Sequence, residues 1–219
     1  MPATQISDAG DSDAGDSDAG DFASWLNGAQ RAIRGEATSD VPCGACTACC
    51  TSSQFIHIRP DETATLARIP QALLFPAPLL PKGHVLMGYD QHGHCPMFVD
   101  GGCSIYEDRP TTCRTYDCRV FPAAGLQPDD DKVLIAAQAV RWSFTYATDA
   151  DRVTHDAVRA AATFVNNHRD DLAEELRPHN ATQLAVCAIE LHDVFVNAEP
   201  TPSTVRVELT RRAAERNRS

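Results

Sequence analysis

Cys43-Gly44-Ala45-Cys46-Thr47-Ala48-Cys49-Cys50 puts four of the chain's nine cysteines in one short run, with only Gly, Ala and Thr between them. Four more follow at Cys95, Cys103, Cys113 and Cys118, and Cys187 stands apart. A Cys-x-x-Cys pair supplies two thiolates from one tight turn, and a tetrahedral zinc or an iron–sulfur cluster takes four. Two such pairs overlap here. The small spacers let the backbone curl close around an ion, and Gly44 permits a positive φ. Adjacent side chains point in different directions in either helical or extended backbone. Cys49 and Cys50 therefore serve two metals, or one of them binds while the other packs or reacts.

The eight sulfurs fill two four-coordinate zinc sites, or one iron–sulfur cluster with thiols left over. The spacing matches neither ferredoxin ligation nor the Cys-x-x-x-Cys-x-x-Cys of radical S-adenosylmethionine enzymes. Clustered thiolates need compensating charge. Arg109, Arg114 and Arg119 lie beside the second group and are placed to donate to sulfur or to pair with Glu107, Asp108 and Asp117. Among the histidines, His92 and His94 flank Cys95 most closely, but with eight thiols present they read as surface or hydrogen-bonding groups. His57 reads as structural. Cys187 sits in an apolar helical stretch and reads as a small core residue.

The rest of the chain sets the context for these thiols. Its formal charge is −11 over 219 residues, but residues 1–21 hold six Asp and no Lys or Arg, so the remainder is only mildly acidic. There is no basic stripe for phosphates, which argues against nucleic acid as a partner. With no signal-peptide pattern and no apolar run long enough for a bilayer, a cytoplasmic protein without membrane attachment is expected. In a reducing compartment dense cysteines favour metal over a disulfide framework, and a vicinal disulfide is strained besides.

Residues 7–21 repeat Ser-Asp-Ala-Gly-Asp three times, with no apolar residue larger than Ala, so 1–21 is expected to be a disordered acidic tail. Residues 22–34 place Phe22, Trp25, Leu26, Ala29 and Ile33 at helical spacing. Strands are expected at 54–59 and 84–89, with a helix starting after Pro60. Residues 73–82, with three prolines, read as an irregular apolar loop. Helical periodicity marks 133–146, 151–167 and 180–196. Alternation marks a strand at 204–209, before a basic frayed end at 210–219. The fold class is therefore α+β: a cysteine-rich, loop-dominated domain with short strands over 22–121, packed against a mainly helical segment over 122–209.

Three further stretches resemble a known family. They are Gly93-His-Cys95-Pro-Met-Phe98, then Cys103-Ser-Ile-Tyr106-Glu-Asp-Arg109-Pro110-Thr-Thr-Cys113-Arg114, and finally Cys118. Together with Cys-x-x-Cys-x-x-Cys-Cys they resemble the bacterial and archaeal cysteine-cluster proteins with a zinc- or iron-chelating domain. A related cysteine domain occurs in flagellin lysine N-methylases. The resemblance covers about residues 41–121 and implies metal ligation by Cys43, Cys46, Cys49, Cys50, Cys95, Cys103, Cys113 and Cys118. A non-catalytic zinc or iron protein is the favoured expectation, with no catalytic residue assigned. A lysine methyltransferase using S-adenosylmethionine and a thiol redox sensor are the alternatives.

Overall fold

The computed structural model describes residues 17–39, 41–78 and 80–216. Among these it mixes eight α-helices with seven short strands, in keeping with an α+β fold. Two apolar cores organise them.

The larger core begins at the N-terminal side. Strand β1 (Ser17–Asp21) leads directly into helix α1 (Phe22–Ile33), where Asp21 Oδ1 accepts the Ser24 N–H at 2.9 Å and caps the helix. Phe22, Trp25, Leu26 and Ala29 turn the buried face inward, as their spacing predicts. The acidic repeat was expected to be disordered throughout. Its residues 1–16 lie outside the described residues, and its last five form β1, paired in parallel with β7 (Trp142–Thr145). Ala19, at the irregularity between the paired Asp18 and Gly20, is buried in the larger core.

Strand β7 also departs from the helix expected over 133–146. Helix α5 (Val133–Ala139) ends early, and Trp-Ser-Phe-Thr continues as a strand because its aromatics alternate toward the core. Helices α6 (Asp149–Asn167) and α7 (Ala181–Phe195) are packed together and carry most of the apolar centre, including Val158, Ala161, Ala188 and Ile189. A capping box at Thr148 and Asp151 starts α6, and Asn180 caps α7 by accepting the Gln183 N–H at 2.9 Å.

Helix α8 (Pro202–Arg216) replaces the expected strand at 204–209 and most of the frayed end. Val205 and Leu209, four residues apart, are buried on one face while Val207 points outward. Pro202 suits the first turn, Arg211 pairs with Glu208 and Glu215, and Arg212 reaches Asp193 of α7 at 2.8 Å. Residues 217–219 of the expected end lie outside the described residues.

The smaller core lies under an antiparallel sheet of β2 (Ile56–Ile58), β4 (Val85–Met87) and β3 (Leu74–Pro76), with β4 in the middle. Ile56 and Ile58 of β2 face Ile69, Met87 and Ile105, while His57 turns away and its Nε2 meets His84 Nδ1 at 2.9 Å. The loop expected at 73–82 thus contains an edge strand, where Pro76 is tolerated because one side of an edge strand needs no ladder donor. Helix α2 (Thr63–Arg68) follows Pro60 as expected.

The hairpin of β5 (Phe98–Val99) and β6 (Gly102–Cys103) and helix α3 (Thr111–Thr115) follow in the chain, and helix α4 (Val120–Ala124) then enters the larger core. The larger core includes α1, Cys118 and α4 as well as the later helices, so it crosses the division expected at residue 121.

Candidate metal centre

The described residues hold all nine cysteines, and none of them is in a disulfide. The Cys43–Cys50 run folds as two tight turns. Gly44 adopts φ +53°, in the left-handed region expected for it, and the Cys46 N–H closes on the Cys43 carbonyl at 2.9 Å. A 3₁₀ turn then spans Ala48–Thr51. Thr51 and Ser52 hydroxyls donate back to the Thr47 and Ala48 carbonyls at 3.1 and 2.6 Å, which tightens it. Ala48 packs on the larger core.

Cys95 reaches this run through backbone. Its N–H donates to the Cys50 carbonyl at 2.7 Å, and the Ser53 N–H donates to the Gly93 carbonyl at 2.8 Å. Gly93 is required here: φ is +80°, and a Cβ would stand 2.4 Å from Ser53 Oγ. His92 and His94 form the turn beside it, both backbone N–H groups donating to Asp90 Oδ1 at 2.8 and 2.9 Å. Cys103 returns on β6, opposite Phe98, and packs with Cys95 and Met97 against the smaller core.

Cys113 sits on α3. This helix is tied to the small sheet by Thr112 Oγ1, which donates to the His57 carbonyl at 2.7 Å, and by the Thr111 N–H, which donates to Glu62 Oε1 at 2.6 Å. Arg114 donates to the carbonyls of Arg109 and Glu107 and braces the turn before α3. Arg109 lies over the Tyr106 ring, 3.9 Å from its centroid, and its positive charge partly relieves Cys43 and Cys113.

Cys118 is the one fully buried member of the eight. Its sulfur accepts the Trp142 indole N–H at 3.1 Å, across 24 residues of sequence. On either side of it Asp117 and Arg119 form a buried ion pair at 2.8 Å, one of the alternatives open to Arg119 from sequence. The Trp25 indole N–H also donates to Asp117 Oδ2 at 3.0 Å, and Arg119 Nη1 donates to the Ala19 carbonyl at 3.2 Å. The Trp142 and Trp25 contacts escape sequence reading because tryptophan is no metal ligand and nothing local links these positions.

The thiols share one another's electric fields. Burial pushes Cys49 up most, and Cys118, Cys43 and Cys46 add to it. Burial followed by Cys95 and Cys103 pushes Cys50 up to about 11. Cys113 rises to about 12 through burial and then Cys95, Cys50 and Cys103. Cys118 also rises to about 12, chiefly by burial, although the Trp142 N–H opposes the shift. Cys43 and Cys95 rise mainly by burial. Cys43, Cys49 and Cys113 nonetheless keep an exposed face, with protein packed on their other sides.

A cation beside these sulfurs reverses the balance, since thiolate ligation favours the charged form and releases the protons. Soft, crowded thiols of this kind fit zinc or iron. As the side chains stand, no three His, Cys, Asp or Glu among the described residues converge closely enough to hold one ion. Backbone hydrogen bonds join Cys46 to Cys43 and Cys95 to Cys50 within this set.

Among the described residues, no helix is long and apolar enough to cross a membrane. No curated protein and no solved structure matches the chain. Residues 42–139 match the model of the CxxCxxCC family, described as a "putative zinc- or iron-chelating domain", and the motif falls on Cys43, Cys46, Cys49 and Cys50.

Proposed function

We propose that this protein binds zinc or iron through the thiolates of Cys43, Cys46, Cys49, Cys50, Cys95, Cys103, Cys113 and Cys118, and that the metal holds the two cores together. The observation that carries this reading is the gathering of four distant segments at the junction of the cores. The Cys95 N–H donates to the Cys50 carbonyl, the Ser104 N–H beside Cys103 donates to the Met97 carbonyl, and Cys118 lies in the larger core on which Ala48 packs. Thiolates crowded in this way repel one another and are unfavourable without a cation, and structural metal sites supply folding energy by binding them.

Elemental analysis and a visible spectrum of anaerobically purified protein test it. Colourless protein with stoichiometric zinc, or brown protein with iron and acid-labile sulfide, supports the reading and distinguishes the two metals. Protein that folds without either metal and takes up neither from solution defeats it.

A further inference from the structure

We infer that the eight thiols make two four-thiolate metal centres, with the adjacent Cys49 and Cys50 divided between them: Cys43, Cys46, Cys49 and Cys118 in one, Cys50, Cys95, Cys103 and Cys113 in the other. This rests on the metal-binding reading above and goes beyond it in assigning each cysteine to a centre.

The 3₁₀ turn at Ala48–Thr51 is the pivot. With three residues per turn, successive side chains are turned about 120° apart, so Cys49 and Cys50 point to different surroundings. On the Cys49 side, Ala48 packs on the larger core, and Cys118 belongs to that core, held by Trp142. Val41, whose carbonyl accepts the Cys43 N–H at 2.7 Å, packs on the same core just before the Cys43–Cys46 turn. Tyr116, two residues before Cys118, also packs on that core.

On the Cys50 side the ties run to the smaller core. The Cys50 carbonyl takes the Cys95 N–H, Cys95 and Cys103 pack together on that core, and α3 fixes Cys113 to β2 through Thr112. Each set spans a turn and a distant segment, and four thiolates complete a tetrahedral site.

Cobalt(II) titration of the anaerobic, metal-stripped full chain tests the division, because thiolate-to-cobalt charge-transfer bands count sulfur-ligated ions. Wild type is expected to bind about two ions per chain. Cys118→Ser and Cys103→Ser should each lose about half of that capacity. The pairing is decided by double variants. Cys49→Ser with Cys118→Ser should lose no more than Cys118→Ser alone, whereas Cys49→Ser with Cys103→Ser should lose both sites. Metal content of the as-purified variants relative to wild type reads the same halving without stripping, whatever the metal. A single equivalent in wild type, or loss of both sites with Cys49→Ser and Cys118→Ser, overturns the division and leaves metal binding standing. No metal as purified and no cobalt uptake overturns the reading beneath it.

Discussion

His155 shows most plainly how burial sets the chemistry of a single side chain. It is 3% exposed, its ring stacks on Phe22 at 4.2 Å, and its Nδ1 meets the Tyr146 hydroxyl at 2.7 Å. Burial, with help from the Arg159 charge, depresses its pKa from 6.5 to about 4. The unfolded chain takes this proton near 6.5 and the folded chain only near 4. The associated stability is therefore complete above pH 6.5 and is lost as pH falls from there toward 4. Urea unfolding at pH 7.5 and pH 5 should show wild type losing about 2 kcal/mol more than His155→Gln. Taking the difference between the two proteins removes proton-driven metal release, which they share. Equal losses in both would show that His155 does not couple protonation to folding. The depressed pKa is illegible in sequence, where His155 is one polar position in a helix; it depends on the aromatics that α1 and β7 bring against it.

Among the elements, α4 and β1 are joined by a polar contact inside an apolar core. Arg119 and Asp117 are 8% and 4% exposed, and together they fasten Trp25 of α1 and the Ala19 carbonyl of β1 around Cys118. Removing the guanidinium strands a buried carboxylate, so Arg119→Ala should cost about 3–5 kcal/mol in denaturant unfolding. Replacing both partners, as Arg119→Met with Asp117→Leu, should recover most of that loss, since no unpaired charge then remains. A loss below about 1 kcal/mol in the single variant would mean that the pair is solvated in solution. Element identity was legible where one period dominated, as in α1, α6 and α7. It was misread at 204–209, where Val-Arg-Val-Glu-Leu alternates like a strand. The helix forms because Val205 and Leu209 join the larger core, and Glu208 between them pairs with Arg211 and Arg212 along the helix.

Over the whole molecule, two cores of unequal size meet at the cysteines. The larger is built from packed helices and holds Cys118, with Cys187 packed on it, whereas the smaller rests on three short strands flanked by Cys95 and Cys103. Metal removal should therefore act unevenly. In hydrogen exchange after chelation, amides of β2, β3, β4 and residues 43–50 should lose protection by at least about tenfold, while α6 and α7 remain protected. Equal loss of protection in α6 and α7 would show one cooperative unit instead of two cores joined by metal. The sequence by itself determined the chemistry of this protein: the thiol set, its tight turns and the α+β composition follow from residue type and short-range spacing. Only the tertiary structure decided that the repeat's last residues pair with β7, that residues 202–216 are helical, and that Trp142 meets the Cys118 sulfur. Those features depend on contacts between residues far apart in the chain, whose free energy exists only once both cores have assembled.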